Sequence, residues 1–207
     1  MRIKIKTLSP VHIGSGNEIS PLEYFIKDKK FNRIDMESLF SDPEFEKEAD
    51  KFIEKAKNIR RIEQILNERL LIKHILYSLD ISKFTEKFNP IQVKEYIKTA
   101  GKVYIPGSSL KGAILSGVLT FVLSRKKIGK IKGKDFDDLL KISLTEMKKE
   151  ESYNMGKFTR WLDVRDSDLK KPEEFLELSL VKIVGARTRT SVPVLYETLK
   201  SNIDFET

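Results

Sequence analysis

The chain has no cysteine, one tryptophan and two histidines among its 207 residues. Without thiols there is no disulfide and no thiolate metal centre. With His12 and His74 as the whole stock of imidazole, a histidine-built metal site is not expected either. Long apolar runs are also missing. The longest, from Leu110 to Leu123, is broken by Lys111, Gly112, Ser116 and Thr120 and is too short to cross a bilayer. The opening "MRIKIKTLSP" alternates charge with aliphatic residues and lacks an apolar signal core. A cytoplasmic protein with no membrane contact is expected.

Charge, by contrast, is plentiful. With 34% charged and 40% hydrophobic residues the composition is that of a folded globular protein and not a disordered one. Lys and Arg total 39 against 31 Asp and Glu, a net charge of +8 that favours a polyanionic partner. Many basic proteins bind no nucleic acid, so the charge speaks to association and not to fold.

Residues 2–8 alternate as a half-buried strand, with Ile3, Ile5 and Leu8 inward. "SPVHIGSGN" breaks it with Pro10, Gly14 and Gly16, a loop that can admit a ligand close to its backbone and that carries His12 and Ser15. "YFIKDKKFNRI" reads as a hairpin. Asp42-Pro43 is a helix start, and apolar residues at helical spacing then predict one or two amphipathic helices over 43–79. After Pro90, "VKEYIKT" reads as a short helix, "KVYI" as a strand, and "FLELSLVKIV" and "SVPVLYETL" as further strands. A polar helix is expected over about 135–151 and a strand in "FTRWLDVRDS". "NIDFET" alternates like a strand just begun, and the natural protein is expected to continue beyond it.

"PGSSLKG" at 106–112 has the look of a phosphate loop: a strand leads in and an apolar helix follows. It is not a Walker A loop. Gly107 and Gly112 have the right separation, but Ala113 and Ile114 stand where Lys and Ser/Thr are required. Two readings remain. Amides of Gly107, Ser108 and Ser109 at a helix N-terminus, with Lys111 in the first turn, suit a phosphodiester without metal. Equally, the stretch is a strand-to-helix turn capped by serine. In the helix itself Gly112, Ser116, Thr120 and Ser124 form a small-residue stripe among Leu, Ile, Val and Phe, which predicts a buried helix. "SRKKIGKIKGK" then brings Arg125, Lys126, Lys127 and Lys130 together without an acid, either a solvated loop or a phosphate contact.

Catalytic patterns are weak. "DVRDSD" lacks the glycine and distal glutamate of a calcium loop. No Ser-His-Asp order or carboxylate pair stands out. His12 is a candidate general base for RNA cleavage, though histidines in glycine-rich loops are more often hydrogen-bonded structural groups. His74 reads as a surface or core-edge residue.

"TLSPVHIGSG" at 7–16, "YIPGSSLKGAI" at 104–114, "LDVRDS" at 162–167 and "VPVLYETLK" at 192–200 occur in this order. Together they resemble the RAMP proteins of CRISPR systems, and within them the family of the fifth subunit of the type III-A (Csm) effector. The resemblance implies an α+β protein with a ferredoxin-like, RRM-related β-α-β-β-α-β core, here carrying a large helical insertion at about 42–80. Such subunits usually have two such domains, so residues 1–207 are expected to be the N-terminal part of a longer two-domain protein. The family's basic glycine-rich C-terminal segment has no counterpart in this sequence. The resemblance further implies a subunit that holds the 3′ part of the crRNA beside the backbone RAMP subunit, supports crRNA maturation and has no active site. Residues expected to meet RNA are His12, Ser15, Gly107, Ser108, Ser109, Lys111, Arg125, Lys126, Lys127 and Lys130; no catalytic residue, metal ligand or cofactor is expected. Two alternatives stay open: a metal-independent RAMP endoribonuclease using His12, and a protein-interaction subunit without RNA contact.

Overall fold

Asp28 and Lys29 turn with φ of 51° and 58°, the left-handed geometry of a two-residue hairpin loop. They join β3 (Tyr24–Lys27) to β4 (Lys30–Ile34), and β4 pairs antiparallel with β5 (Ile75–Asp80). The computed structural model describes residues 2–58, 61–84, 92–125, 162–182 and 193–207. It divides into two units, one of residues 4–104 and 169–205, the other of residues 1–3, 105–168 and 206–207.

The larger unit holds a four-stranded sheet in the order β2 (Gly14–Ile19), β6 (Val93–Tyr96), β10 (Pro193–Leu199), β9 (Leu176–Lys182). The central β6 and β10 are parallel, and each has an antiparallel edge partner. Two parallel central strands with antiparallel edges is the pairing of a ferredoxin-like sheet, with the edge strand β2 here coming before its partner β6 in the chain. Alternation puts Val93, Leu195, Leu199, Leu176 and Leu178 in the buried core. A two-stranded pair of β1 (Lys4–Lys6) with β11 (Asp204–Glu206), and a small hairpin of β7 (Lys98–Thr99) with β8 (Lys102–Val103), complete the strands among the described residues. The turn of that hairpin uses Ala100 and Gly101, both at positive φ.

Four short helices cover the β3-β4-β5 sheet: α1 (Met36–Phe40), α2 (Pro43–Glu46), α3 (Ala49–Ala56) and α4 (Glu68–Lys73). Leu39, Phe45, Ile62, Ile65, Leu66, Leu70 and Leu71 pack with Phe25 and Ile34 into one buried cluster. Truncating Leu71, wholly buried, to alanine costs about 2–5 kcal/mol on the usual scale for such sites.

The expectation of one or two amphipathic helices over 43–79 is therefore corrected. Its apolar spacing is helical, but Asn67 caps a new helix by accepting from the Arg69 amide, and beyond His74 the chain becomes a strand. In that strand Tyr77 and Leu79 are buried while Leu76 is exposed, a period of two that the overlapping helical pattern conceals. "VKEYIKT" is likewise β6 and β7, not helix. Of the three residues placed inward in the first strand, Leu8 is 84% exposed and Ile3 41%.

His74 links the helices. Its Nδ1 lies 2.9 Å from Ser38 Oγ and its Nε2 2.9 Å from Asp42 Oδ2, so a Ser-His-Asp row exists that the sequence order hides. Ser38 lies in α1, Asp42 caps α2 through the Glu44 amide, and His74 closes α4, so the row acts as a clamp between three helix ends. The Glu44 amide, and after it His74, hold the Asp42 carboxyl below its ordinary value. A carboxylate depressed in the folded state contributes stability above the ordinary range and loses it as pH falls through the folded value. The urea midpoint of Asp42→Asn should therefore lie below that of wild type at neutral pH. The two should converge as the solution is taken below about pH 4. Parallel curves across that range would contradict the clamp.

Candidate nucleic-acid interface

In the smaller unit, the Pro106 carbonyl accepts the Leu110 amide, opening α5 (Gly107–Arg125). The preceding residue is tied to "LDVRDS": Ile105 N–H donates to Ser167 Oγ at 2.8 Å, and Ser167 N–H to the Ile105 carbonyl at 3.0 Å. Gly107 N–H donates to Asp166 Oδ1 at 2.7 Å, so a carboxylate of the chain itself occupies the first anion position at the helix end. A Cβ at Gly107 would lie 2.0 Å from the Val164 carbonyl oxygen. The close backbone approach that this glycine permits is therefore to residues 164–165. Ser108 and Ser109 are exposed, Lys111 is half-buried, and the amides of both serines lack a partner among the described residues.

α5 departs from the buried helix expected. Ile114 and Phe121 (56%) are exposed, as are Ser116 and Thr120 of the small-residue stripe, and among the described residues nothing lies within 4 Å of a Cβ built at Gly112 or Gly117. The two hydroxyls bond back to the carbonyls of Gly112 and Ser116, each at 2.8 Å, so they need no outside partner. Arg125 ends the helix. Lys126, Lys127 and Lys130 lie outside the described residues, as does the polar helix expected over 135–151.

The larger unit brings His12 and Ser15 to a second site, built around Glu197. This residue is fully buried on β10, in phase with Leu195 and Leu199. Its carboxylate accepts from the Tyr77 hydroxyl, from the Tyr96 amide at 3.0 Å and from Lys98 Nζ at 2.6 Å. Lys98 also lies 5.2 Å above the Tyr77 ring. Burial, and then the neighbouring Glu197 charge, push the Tyr77 hydroxyl well above its ordinary value, so it stays a donor. Lys98 reaches on to Glu95, whose other oxygen accepts from Ser15 Oγ at 3.0 Å. Ser15 Oγ in turn accepts the Asn17 amide at 3.1 Å. His12 Nδ1 sits 2.7 Å from the Glu197 carbonyl oxygen. A charged residue in the apolar phase of "VLYETL" was the one signal in the sequence that could have pointed to Glu197. No comparable signal marks Lys98 or Tyr77.

A family model described as RAMP superfamily matches residues 4–199. The chain belongs to that superfamily. Of this RAMP chain's relatives, a protein of Methanocaldococcus jannaschii named CRISPR system Cms protein Csm5 is 34% identical over 128 residues, which is 55% of this chain and 29% of the relative. The protein of the same name from Streptococcus thermophilus is 29% identical over 172 residues, 67% of this chain and 48% of the relative. This RAMP chain thus spans less than half the length of either. Among solved structures, the crystal structure of T. onnurineus Csm5 has a TM-score of 0.68 at 23% identity, covering 98% of this chain and 66% of that one. A chain in the cryo-EM structure of a type III-A Csm–crRNA–target RNA ternary complex has a TM-score of 0.67 at 24% identity, covering 98% and 62%. These two share the fold of this chain. No helix among the described residues is long and apolar enough to cross a membrane.

Proposed function

We propose that this chain is a crRNA-binding, non-catalytic subunit of a type III-A CRISPR effector, placed where the 3′ part of the crRNA is held and supporting crRNA maturation beside the backbone RAMP subunit. The observation that carries the reading is the sequence similarity to two proteins named Csm5. The net charge of +8 supports it, because phosphate neutralisation supplies most of the affinity of a sequence-independent RNA contact. RNA contact falls to the exposed Ser108 and Ser109 amides with Lys111, to His12, and to the basic stretch of Arg125, Lys126, Lys127 and Lys130. Gly107 and Ser15 serve by shaping the two loops, since their own polar groups are taken by Asp166, Glu95 and Asn17.

Affinity for single-stranded RNA, measured across a salt series, tests this. For single strands log K falls with log salt by roughly 0.7 per phosphate neutralised. Replacing Lys126, Lys127 and Lys130 together by alanine should flatten the slope by about 2, and Lys111→Ala by less than about 1. An unchanged slope in the triple variant would make that stretch a solvated surface. Wild-type protein that binds no RNA at any salt would leave the protein-interaction reading in its place.

A further inference from the structure

Both ring nitrogens of His74 are hydrogen-bonded within the protein, whereas His12 has one bonded and one open. The bonded atom of His12, Nδ1, faces the Glu197 carbonyl oxygen, which can only accept, so Nδ1 carries the hydrogen and donates. In the neutral ring the lone pair then lies on Nε2. Nε2 has no partner among the described residues, and no buried side-chain nitrogen or oxygen of those residues lacks one, so Nε2 faces solvent. The ring cannot easily turn away. Tyr196 meets it edge-on at 4.8 Å and Tyr96 at 6.3 Å, while the residue that supplies the carbonyl is anchored below by three donors to its carboxylate. Access to Nε2 depends on Gly14, where a Cβ would stand 3.1 Å from that nitrogen.

With its hydrogen on Nδ1, the neutral form of the ring presents a fixed hydrogen-bond acceptor beside a half-exposed tyrosine ring, where the chain enters β2. A phosphate oxygen has no hydrogen to offer it. A hydroxyl does, and the hydroxyl that distinguishes one class of nucleic acid from the other is the ribose 2′-OH. We propose that His12 Nε2 accepts a hydrogen bond from a ribose 2′-hydroxyl, making the start of β2 a point at which the protein selects RNA over DNA. The proposal rests on the RNA-binding reading above and assigns that reading a chemical discriminator.

The test is fluorescence anisotropy at fixed salt with RNA and DNA of one sequence, and with RNAs carrying a single 2′-deoxy or 2′-fluoro substitution moved along the strand. The fluoro group keeps the RNA-like sugar pucker and removes the donor. Wild type should show one position at which either substitution weakens binding roughly fivefold to tenfold, the worth of one good hydrogen bond. His12→Ala should lose sensitivity at that position and bind DNA as wild type does. Gly14→Ala, which keeps the Nδ1 bond and crowds Nε2, should act in the same direction. A flat substitution scan in wild type overturns the proposal while leaving RNA binding intact. Equal weakening of RNA and DNA by His12→Ala overturns it too, by making His12 structural. Cleavage of the RNA in EDTA that vanishes in His12→Ala overturns it in favour of a general base. Absence of any RNA binding by wild type removes the underlying reading and the proposal together.

Discussion

Glu197→Ala should lower the stability of the larger unit by about 3–5 kcal/mol, the cost of breaking a buried ion pair from one side. The carboxylate lies 2.6 Å from Lys98 Nζ, with the two side chains 0% and 10% exposed. Removing it strands a buried ammonium, the Tyr77 hydroxyl and the Tyr96 amide at once. The pair itself is not what makes the fold stable. Desolvating two charges offsets much of their attraction, so replacing both partners with apolar residues should restore most of what the single change loses. Urea denaturation of wild type, Glu197→Ala, Lys98→Met and the double variant Lys98→Met/Glu197→Leu gives the cycle. A double variant as unstable as the sum of the single ones would mean that the two side chains act independently. Since the main chain of Glu197 holds His12, the same variant should also loosen the ring, and RNA selectivity should fail with it.

Gly107→Ala should destabilise the smaller unit by about 3 kcal/mol, at the upper end for an overpacked site. The new Cβ meets the backbone of residues 164–165: 2.0 Å to the Val164 carbonyl oxygen, 2.8 Å to its carbon and 2.7 Å to the Arg165 carbonyl carbon. Backbone cannot rotate aside as a long side chain can. Residues 164–165 must move, and with them Asp166 from the helix end and Ser167 from Ile105. Gly112→Ala and Gly117→Ala are the internal controls. Among the described residues nothing lies within 4 Å of either Cβ, so alanine should stabilise α5 by up to about 1 kcal/mol through helix propensity alone. Limited proteolysis of residues 105–125, followed with thermal denaturation, reads both signs. A Gly107→Ala protein as resistant as wild type would mean that the 164–165 segment gives way without cost.

The β-rich parts of the fold were legible where one signal stood by itself. "YFIKDKKFNRI" has two runs around a turn, and "LELSLVK" and "PVLYETL" carry period-two patterns ended by Gly and Pro. The reading failed where two periods overlapped. In "LLIKHILYSLD" the helical spacing of Leu70, Leu71 and His74 runs straight into the alternation of Ile75, Tyr77 and Leu79, and nothing in the composition marks the change at His74. In α5 an apolar composition suggested burial, although a helix apolar on every side has no pattern that says which side is covered. The loops were placed from their glycines and hydroxyls, but the partners that fix them were not. Asp166 lies 59 residues from Gly107, and Glu197 lies 101 from Tyr96 and 185 from His12, distances over which only the fold supplies the connection.

The same long separations set a schedule for the chain during its synthesis. Strand β1 is made long before β11, yet Thr7 Oγ1 donates to the Lys200 carbonyl at 2.7 Å and its amide to that of Ile203 at 3.0 Å, across 193 and 196 residues. The smaller unit likewise needs residues 1–3 together with 206–207. A chain emerging at about 5–20 residues per second therefore leaves β1 unpaired for on the order of 10 seconds or more before its partner exists. The β3-β4 hairpin and helices α1–α4, whose contacts are close in sequence, have formed long before. Through that interval β1 is an open edge, and Lys4 and Lys6 on either side of Ile5 are charges of the kind that discourage an unpaired edge from pairing with another chain.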